Sequence, residues 1–352
     1  MISCHLRPSV STFSEYLSFV YDYIRNKSIL SIHSNCEVLG MNIGCTDDAS
    51  SVCVHTLDNP RISHNVLYVM QTDDGQQYCL KMANDPEFAV HETTIGVVMS
   101  LLFMPEFCEI DGIVENPSSL RGIVSDHDLQ NYYFVKMKYV DGAENFSDVI
   151  CDQTVSDQDV FTILAYIMAV MQRAFERVAF THYDLKAENV LVRVSNDEER
   201  LIVHVNNDDY RFTTRYAITI IDFECASVTI RGKTIGITGG EIRGIKHGPN
   251  PSYDIIRLCF GIIFNRPQLM SLMRPIISMC LNISEISDEE LVTLIRTGVY
   301  DIEHTHNRVN LSDCWPFNVP VTYGDVLMKI KSVMPSIPVK IGSASLHALI
   351  KQ

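Results

Sequence analysis

The sequence predicts an α+β protein built as two lobes, a small strand-rich lobe followed by a larger helical one. Three observations predict it. The chain has 352 residues, of which 46% are hydrophobic, enough to fill one large core or two modest ones. Short β-favouring runs crowd the stretch between residues 51 and 140. Beyond it the apolar spacing changes to the three-and-four pattern of helices, beginning with the long segment DQDVFTILAYIMAVMQRAFERV. The boundary is expected near 141 to 146.

Taken in order, FSEYLSFVYDYIR at 13 to 25 has the spacing of an amphipathic helix and marks an N-terminal helical extension over 1–33. The strand-rich lobe, 34–143, contains SVCVHTL (51 to 57), NVLYVM (65 to 70) and QQYCLKM (76 to 82). The last two are joined by Thr72-Asp73-Asp74-Gly75, which has the composition of a hairpin turn. A helical pattern runs from about 87 to 103, and YYFVKMKYV at 132 to 140 is a further strand. In the helical lobe, 144–352, Ser156 stands where it can cap the long helix. Two strands follow around the turn at 206 to 209, the second running into YAITIIDF, and SYDIIRLCFGIIF and a patterned C-terminal segment are helical. There is no internal repeat and no low-complexity segment.

With 28 basic and 43 acidic residues the formal net charge is −15, which disfavours binding to a phosphate backbone and suits a protein that meets cationic partners. The 11 cysteines include no CxxC pair, so the pattern is that of reduced, buried thiols rather than a zinc or redox site. The longest apolar run, FTILAYIMAVM at 161 to 171, is too short to span a bilayer. No basic-then-apolar leader opens the chain, and an intracellular location without membrane attachment is expected.

The chemistry is concentrated in THYDLKAENVLVR, residues 181 to 193, where Asp184, Lys186 and Asn189 precede a branched aliphatic run. Phosphoryl transfer needs a carboxylate to orient the attacking hydroxyl, a cation for the transferred group and oxygen ligands for Mg²⁺. These three residues match in type, and their spacing matches the catalytic-loop pattern HRDLKxxN. Farther on, Asp222 ends the apolar strand of ITIIDFE. Upstream, Lys81 lies in the strand YCLKM, and Glu92 in HETTIGVVMSLL is the helical carboxylate chosen to pair with it, with Glu87 held in reserve. Singly, a lysine in a strand or an Asp-Phe pair is commonplace. Four parts in the required order, on the required element types, are not.

Here the chain resembles the eukaryotic protein kinases, and more closely the divergent branch that contains haspin and the kinases of large DNA viruses. SNCEVLG at 34 to 40 is similar to the strand entering the haspin nucleotide loop, and the interval from Asn189 to Asp222 holds an extra hairpin, LIVHVNNDDYRFTT. No APE motif closes the activation segment, and NPSYDIIRL at 250 to 258 is similar to the segment that anchors the F helix of that branch. The resemblance spans roughly residues 34 to 265. It implies a bilobal protein-kinase-like fold, ATP and Mg²⁺ as cofactors, and transfer to Ser/Thr hydroxyls of a protein, the Ser/Thr choice resting on Lys186.

The same resemblance implies the roles. Asp184 is the base and Lys186 its cationic neighbour. Lys81 and Glu92 form the pair that serves the nucleotide, Gly40 and Gly44 with Lys81 bind its phosphates, Asn189 and Asp222 hold the metal, and Asp254 braces the catalytic loop. The same kinship implies a basic acceptor such as a histone tail and residence in host cytoplasm, nucleus or virion; a monomer without direct nucleic-acid or membrane contact is expected.

Three departures stand out. Tyr183 replaces the Arg of HRD, Glu224 replaces the Gly of DFG, and GMNIGCTDDASSV at 40 to 52 lacks the third glycine of GxGxxG and carries Asp47 and Asp48. Two other readings compete. The Asp-Phe-Glu sequence suits a choline- or aminoglycoside-type small-molecule kinase, and the weak glycine loop suits a pseudokinase that serves as a binding module.

Overall fold

A computed structural model of the chain describes residues 52–57, 66–83, 86–102, 105–115, 117–205, 208–230, 233–236, 249–282, 286–293, 321–334, 337 and 339–341. The expected helix at 13 to 25, the segment 34 to 40, and Gly40, Gly44, Asp47 and Asp48 lie outside them. The chain divides into two compact units, the first running to Asp141 with Ile230–Lys233 added, the second comprising the rest. The first is strand-rich and the second has the larger share of helix, the division of a bilobal kinase-like fold.

The first unit is an antiparallel sheet of β1 (Val52–Leu57), β2 (Leu67–Gln71), β3 (Gln77–Ala83), β4 (Ile110–Glu115) and β5 (Tyr133–Lys138), in the order β1-β2-β3-β5-β4. The turn at 72 to 75 joins β2 to β3, with Gly75 at φ 83°, the left-handed region that glycine enters without strain. Strand β3 is central and buried on both faces. Tyr78 and Leu80 face a cluster with Tyr68, Met70, Val114 and Phe134. By the two-residue period of a strand, Cys79 and Lys81 point to the opposite face, where α1 (Pro86–Leu101) lies against the sheet.

That close fit depends on Gly96. A Cβ there would collide with the side chain of Ile110 on β4. Glu92 sits one helical turn before Gly96, on the same face, so the approach of backbone to sheet is what brings its carboxylate down to Lys81.

Strand β4 was not expected from the sequence, nor were the 3₁₀ turn Ser118–Leu120 and α2 (Asp126–Asn131). The Asp-Gly dipeptide inside IDGIVE reads as a turn. In the structure it forms a register shift between Ile110 and Gly112 in the β4–β5 ladder, which lets the strand continue.

In the second unit, β6 (Glu144–Asn145) and α3 (Phe146–Cys151) precede α4 (Asp157–Val178). Helix α4 starts at a capping box between Ser156 and Asp159, and Ile163 through Gln172 are all buried. It ends where Ala179 turns left-handed at φ 46°. Strands β7 (Val190–Val205) and β8 (Asp208–Ile220) form a long hairpin, flanked in its sheet by β6 and by β11 (Val339–Ile341). A ribbon of β9 (Ser227–Ile230) and β10 (Lys233–Gly236) follows.

The remaining helices are α5 (Pro251–Asn265), α6 (Met270–Leu281) and α7 (Tyr323–Val333), the last opened by a capping box of Thr322 and Asp325 and packed on α4. No helix among the described residues is long and apolar enough to cross a membrane.

Replacing Gly96 by Ala sets two effects against each other. Helix propensity favours Ala by about 1 kcal/mol, while overpacking a close contact typically costs about 1–3 kcal/mol. Gly96→Ala is expected to be destabilising on balance. The check is the chemical-denaturation midpoint, and a rise would show that α1 can move off the sheet without penalty.

Candidate active site

In the first unit Lys81 Nζ lies 3.1 Å from Glu92 Oε1 and 3.0 Å from Oε2. Both side chains are buried, at 8% and 2% exposure, so neither charge is screened by water. The side chain of Glu87 is not among those described. Two neighbouring thiols are inert by burial. Desolvation raises Cys79 to about 12, and it raises Cys108 further, with help from the nearby Cys79 and Glu92 charges.

In the second unit the chain leaves α4, and Thr181 pairs with Ser227 at the start of β9 through two backbone hydrogen bonds of 3.0 and 2.8 Å. His182 comes next and is fully buried. Its Nε2–H donates to the carbonyl of Ile221 at 2.9 Å and its Nδ1 accepts the Asp184 N–H at 3.3 Å, a pattern that one neutral tautomer satisfies at both nitrogens. The ring packs between Phe180, 6.2 Å away at 88°, and Phe223, 6.1 Å away at 58°. His182 therefore orients the loop and ties it to the strand end that carries Asp222.

Asp184 is 4% exposed. Its Oδ2 accepts from Asn189 Nδ2 at 3.2 Å, and the same nitrogen donates to the Asp184 carbonyl at 2.8 Å. Asn189 ends the 3₁₀ turn Ala187–Asn189, and its carbonyl accepts from the Ile221 N–H at 3.0 Å. The loop and the residue before Asp222 are thus held to each other by main chain. Lys186 is half-buried at the start of that turn.

Of the described non-glycine residues with positive φ, two belong to the site, Tyr183 at φ 59° and Asp222 at φ 69°. Such a conformation costs roughly 1–3 kcal/mol and persists where the surroundings fix it. Here it aims the side chains on either side of Asp184 and at the end of β8.

Beneath the loop lies Asp254 on α5, completely buried. It accepts the His182 N–H at 2.8 Å and the hydroxyl of Tyr323, from α7, at 2.6 Å. Burial raises its pKa, while the neighbouring His182, the Tyr323 hydroxyl and the backbone N–H groups of His182 and Tyr183 oppose the rise.

Sequence reasoning missed two members of the site. Arg257 places Nη2 at 2.5 Å from Asp184 Oδ1; it lies one helical turn beyond Asp254, and that spacing was a usable signal. Tyr323 lies in a C-terminal segment with no motif, and nothing in its surroundings announced it.

The donor set fits a nucleotide-bound hard cation. Asn189 turns its amide nitrogen to Asp184, which leaves its oxygen as the end that can meet a metal, and Asp222 offers a half-buried carboxylate. Among the described residues no three His, Cys, Asp or Glu side chains gather as a protein-only metal cage.

Two buried phenols give the site a signature at high pH. Desolvation raises Tyr183 to about 12 and Tyr323 well above its ordinary value. In the unfolded chain both ionise near pH 10. Above that pH the unfolded state holds fewer protons than the folded one, so the stability present below pH 10 falls as pH rises. The slope is about 1.4 kcal/mol per pH unit for each group over that window. A Tyr183→Phe/Tyr323→Phe protein is expected to lose stability less steeply between pH 10 and 12, read from urea midpoints. Equal slopes would remove the phenols as the cause.

Comparison with known proteins adds two matches. Residues 158–238 match the family model described as poxvirus serine/threonine protein kinase; the matched segment runs from α4 through the catalytic loop, the β7–β8 hairpin and Asp222 to β10. A protein named "Probable kinase 098L", from Invertebrate iridescent virus 3, is 32% identical over 138 residues, which is 38% of this chain and 26% of that protein. The chain therefore spans about a quarter of the length of the relative it matches. Over residues 158–238, which include Asp184, Asn189 and Asp222, this chain is similar to the poxvirus serine/threonine protein kinases, and it is also similar to a probable kinase of an iridescent virus.

Proposed function

We propose that the chain is a Ser/Thr protein kinase that uses ATP and Mg²⁺. The observation that carries this reading is the Asp184–Asn189 hydrogen-bonded pair, held on a loop whose His182 is anchored to Asp254. The family match over residues 158–238, which contain Asp184 and Asn189, and the similarity to a probable viral kinase support it.

In this reading Asp184 accepts the proton of the attacking hydroxyl as the bond from that oxygen to phosphorus forms and the bond to the leaving diphosphate breaks. Lys186 offsets charge on the transferred group. Asn189 and Asp222 hold Mg²⁺, which when bound draws charge from the phosphate oxygens. Lys81, kept extended by Glu92, neutralises nucleotide phosphates, and Gly40 and Gly44 supply backbone N–H groups to them.

The test is transfer of label from ATP to histones, casein, and a panel of aminoalcohols and aminoglycosides, so that a small-molecule kinase would reveal itself by its acceptor. Asp184→Asn is expected to fold and to lose about 10²–10⁴-fold in kcat, and Asp222→Ala to lose Mg²⁺-dependent nucleotide binding. Near-normal turnover by folded Asp184→Asn protein would end the assignment.

The net charge of −15 favours a cationic acceptor, drawn by a field that salt screens over about 8 Å at physiological ionic strength. The rate, kcat/KM, for a Lys/Arg-rich Ser/Thr peptide is expected to exceed that for an acidic one and to fall with salt. A preference for the acidic peptide would dismiss the charge argument alone.

A further inference from the structure

Helix α5 presents two functional side chains to the catalytic loop one turn apart. Asp254 takes the His182 N–H, and Arg257 takes the carboxylate of Asp184, with Nη2 at 2.5 Å from Oδ1. The guanidinium is itself fixed. Its side chain is 10% exposed, against 6% for Asp184, and its Nη1 donates to the Tyr253 hydroxyl at 3.4 Å. The Tyr253 ring in turn rests 6.4 Å from that of Tyr183.

We propose that Arg257 is a positioning residue for Asp184. It holds the carboxylate in one orientation, and by engaging Oδ1 it directs the hydroxyl proton to Oδ2. This rests on Asp184 being the base.

The geometry decides against a purely structural pair. An exposed ion pair leaves the carboxylate free to rotate and contributes little. Here both partners are nearly dry and in contact, so the guanidinium fixes where Oδ1 points. Asn189 on the other oxygen fixes the rotation.

His182 meets Asp184 through the Asp184 backbone N–H, whereas Arg257 meets the carboxylate itself.

The experiment uses the full chain with labelled ATP, Mg²⁺ and a histone or casein acceptor, and compares wild type, Asp184→Asn, Arg257→Gln and Arg257→Lys. Arg257→Gln is expected to lower kcat about 10²-fold, the scale of a misplaced catalytic group. Its KM for ATP should stay near the wild-type value, a split between kcat and KM that a merely structural role would not produce. Arg257→Lys keeps a charge without the planar fork, so it is expected to recover part of the loss, with kcat about tenfold below wild type.

Wild-type kcat in folded Arg257→Gln overturns the proposal. Should that variant not fold, wild-type kcat in Arg257→Lys overturns it. The kinase reading fails separately, by absent transfer in the wild type or by undiminished transfer in Asp184→Asn.

Discussion

Asp254 carries the buried carboxylate on which the catalytic loop hangs, and its energetics explain why the loop has one conformation. Taking a carboxylate out of water costs several kcal/mol even after the protein relaxes, and burial is the largest influence on this one. The Tyr323 hydroxyl and the His182 N–H oppose it at 2.6 and 2.8 Å. Hydrogen bonds to a charged group contribute roughly 1.5–3 kcal/mol each, so the two together are about as large as the cost. The net gain in stability is therefore small, and what the arrangement secures is position. Every alternative placement of His182 or α7 leaves the carboxylate buried and short of a donor.

The same logic governs the first unit. Lys81 and Glu92 are both buried and paired at 3.0 Å, and a buried ion pair is weak evidence of stability because desolvation consumes most of the attraction. Removing one partner is a different matter, since it strands a charge in the core. The pair locks α1 to the central strand, and the missing side chain at Gly96 makes the distance short enough to close it. A site residue and a packing residue on one helix face thus depend on each other.

How much of this was legible follows from how local each signal is. The hairpin of β2 and β3, the helix carrying Glu92, the capped helix α4 and the catalytic-loop pattern could all be read, because each is written in neighbouring residues. Strand β4 could not, because Asp-Gly serves a bulge there and a turn elsewhere. Arg257 was half legible: its helix was expected, and only its contact with Asp184 required the fold. Tyr323 was illegible, since its role exists only once α7 packs on α4 and its hydroxyl reaches Asp254. The fold brings together a tyrosine and a carboxylate far apart in sequence, and neither carries a mark of the other.

Tyr183 shows what the departure from HRD does physically. Where an arginine would offer a cation, this chain buries a phenol at 2% exposure against the ring of Tyr253. Its hydroxyl is set toward Ser227, Thr181 and the Asn250 backbone. Those partners belong to the strand that pairs with the loop, to the loop itself and to the residue before α5. A phosphate brought to this position would meet a buried aromatic ring rather than a positive charge, and would have to displace it at the cost of desolvation. The ties that a phosphate clamp would supply are present already, as the Thr181–Ser227 bridge, the Tyr183–Tyr253 contact and the Asp254 anchor. The described contacts that hold the loop are neutral packing, the buried Asp254 carboxylate and the Arg257–Asp184 ion pair.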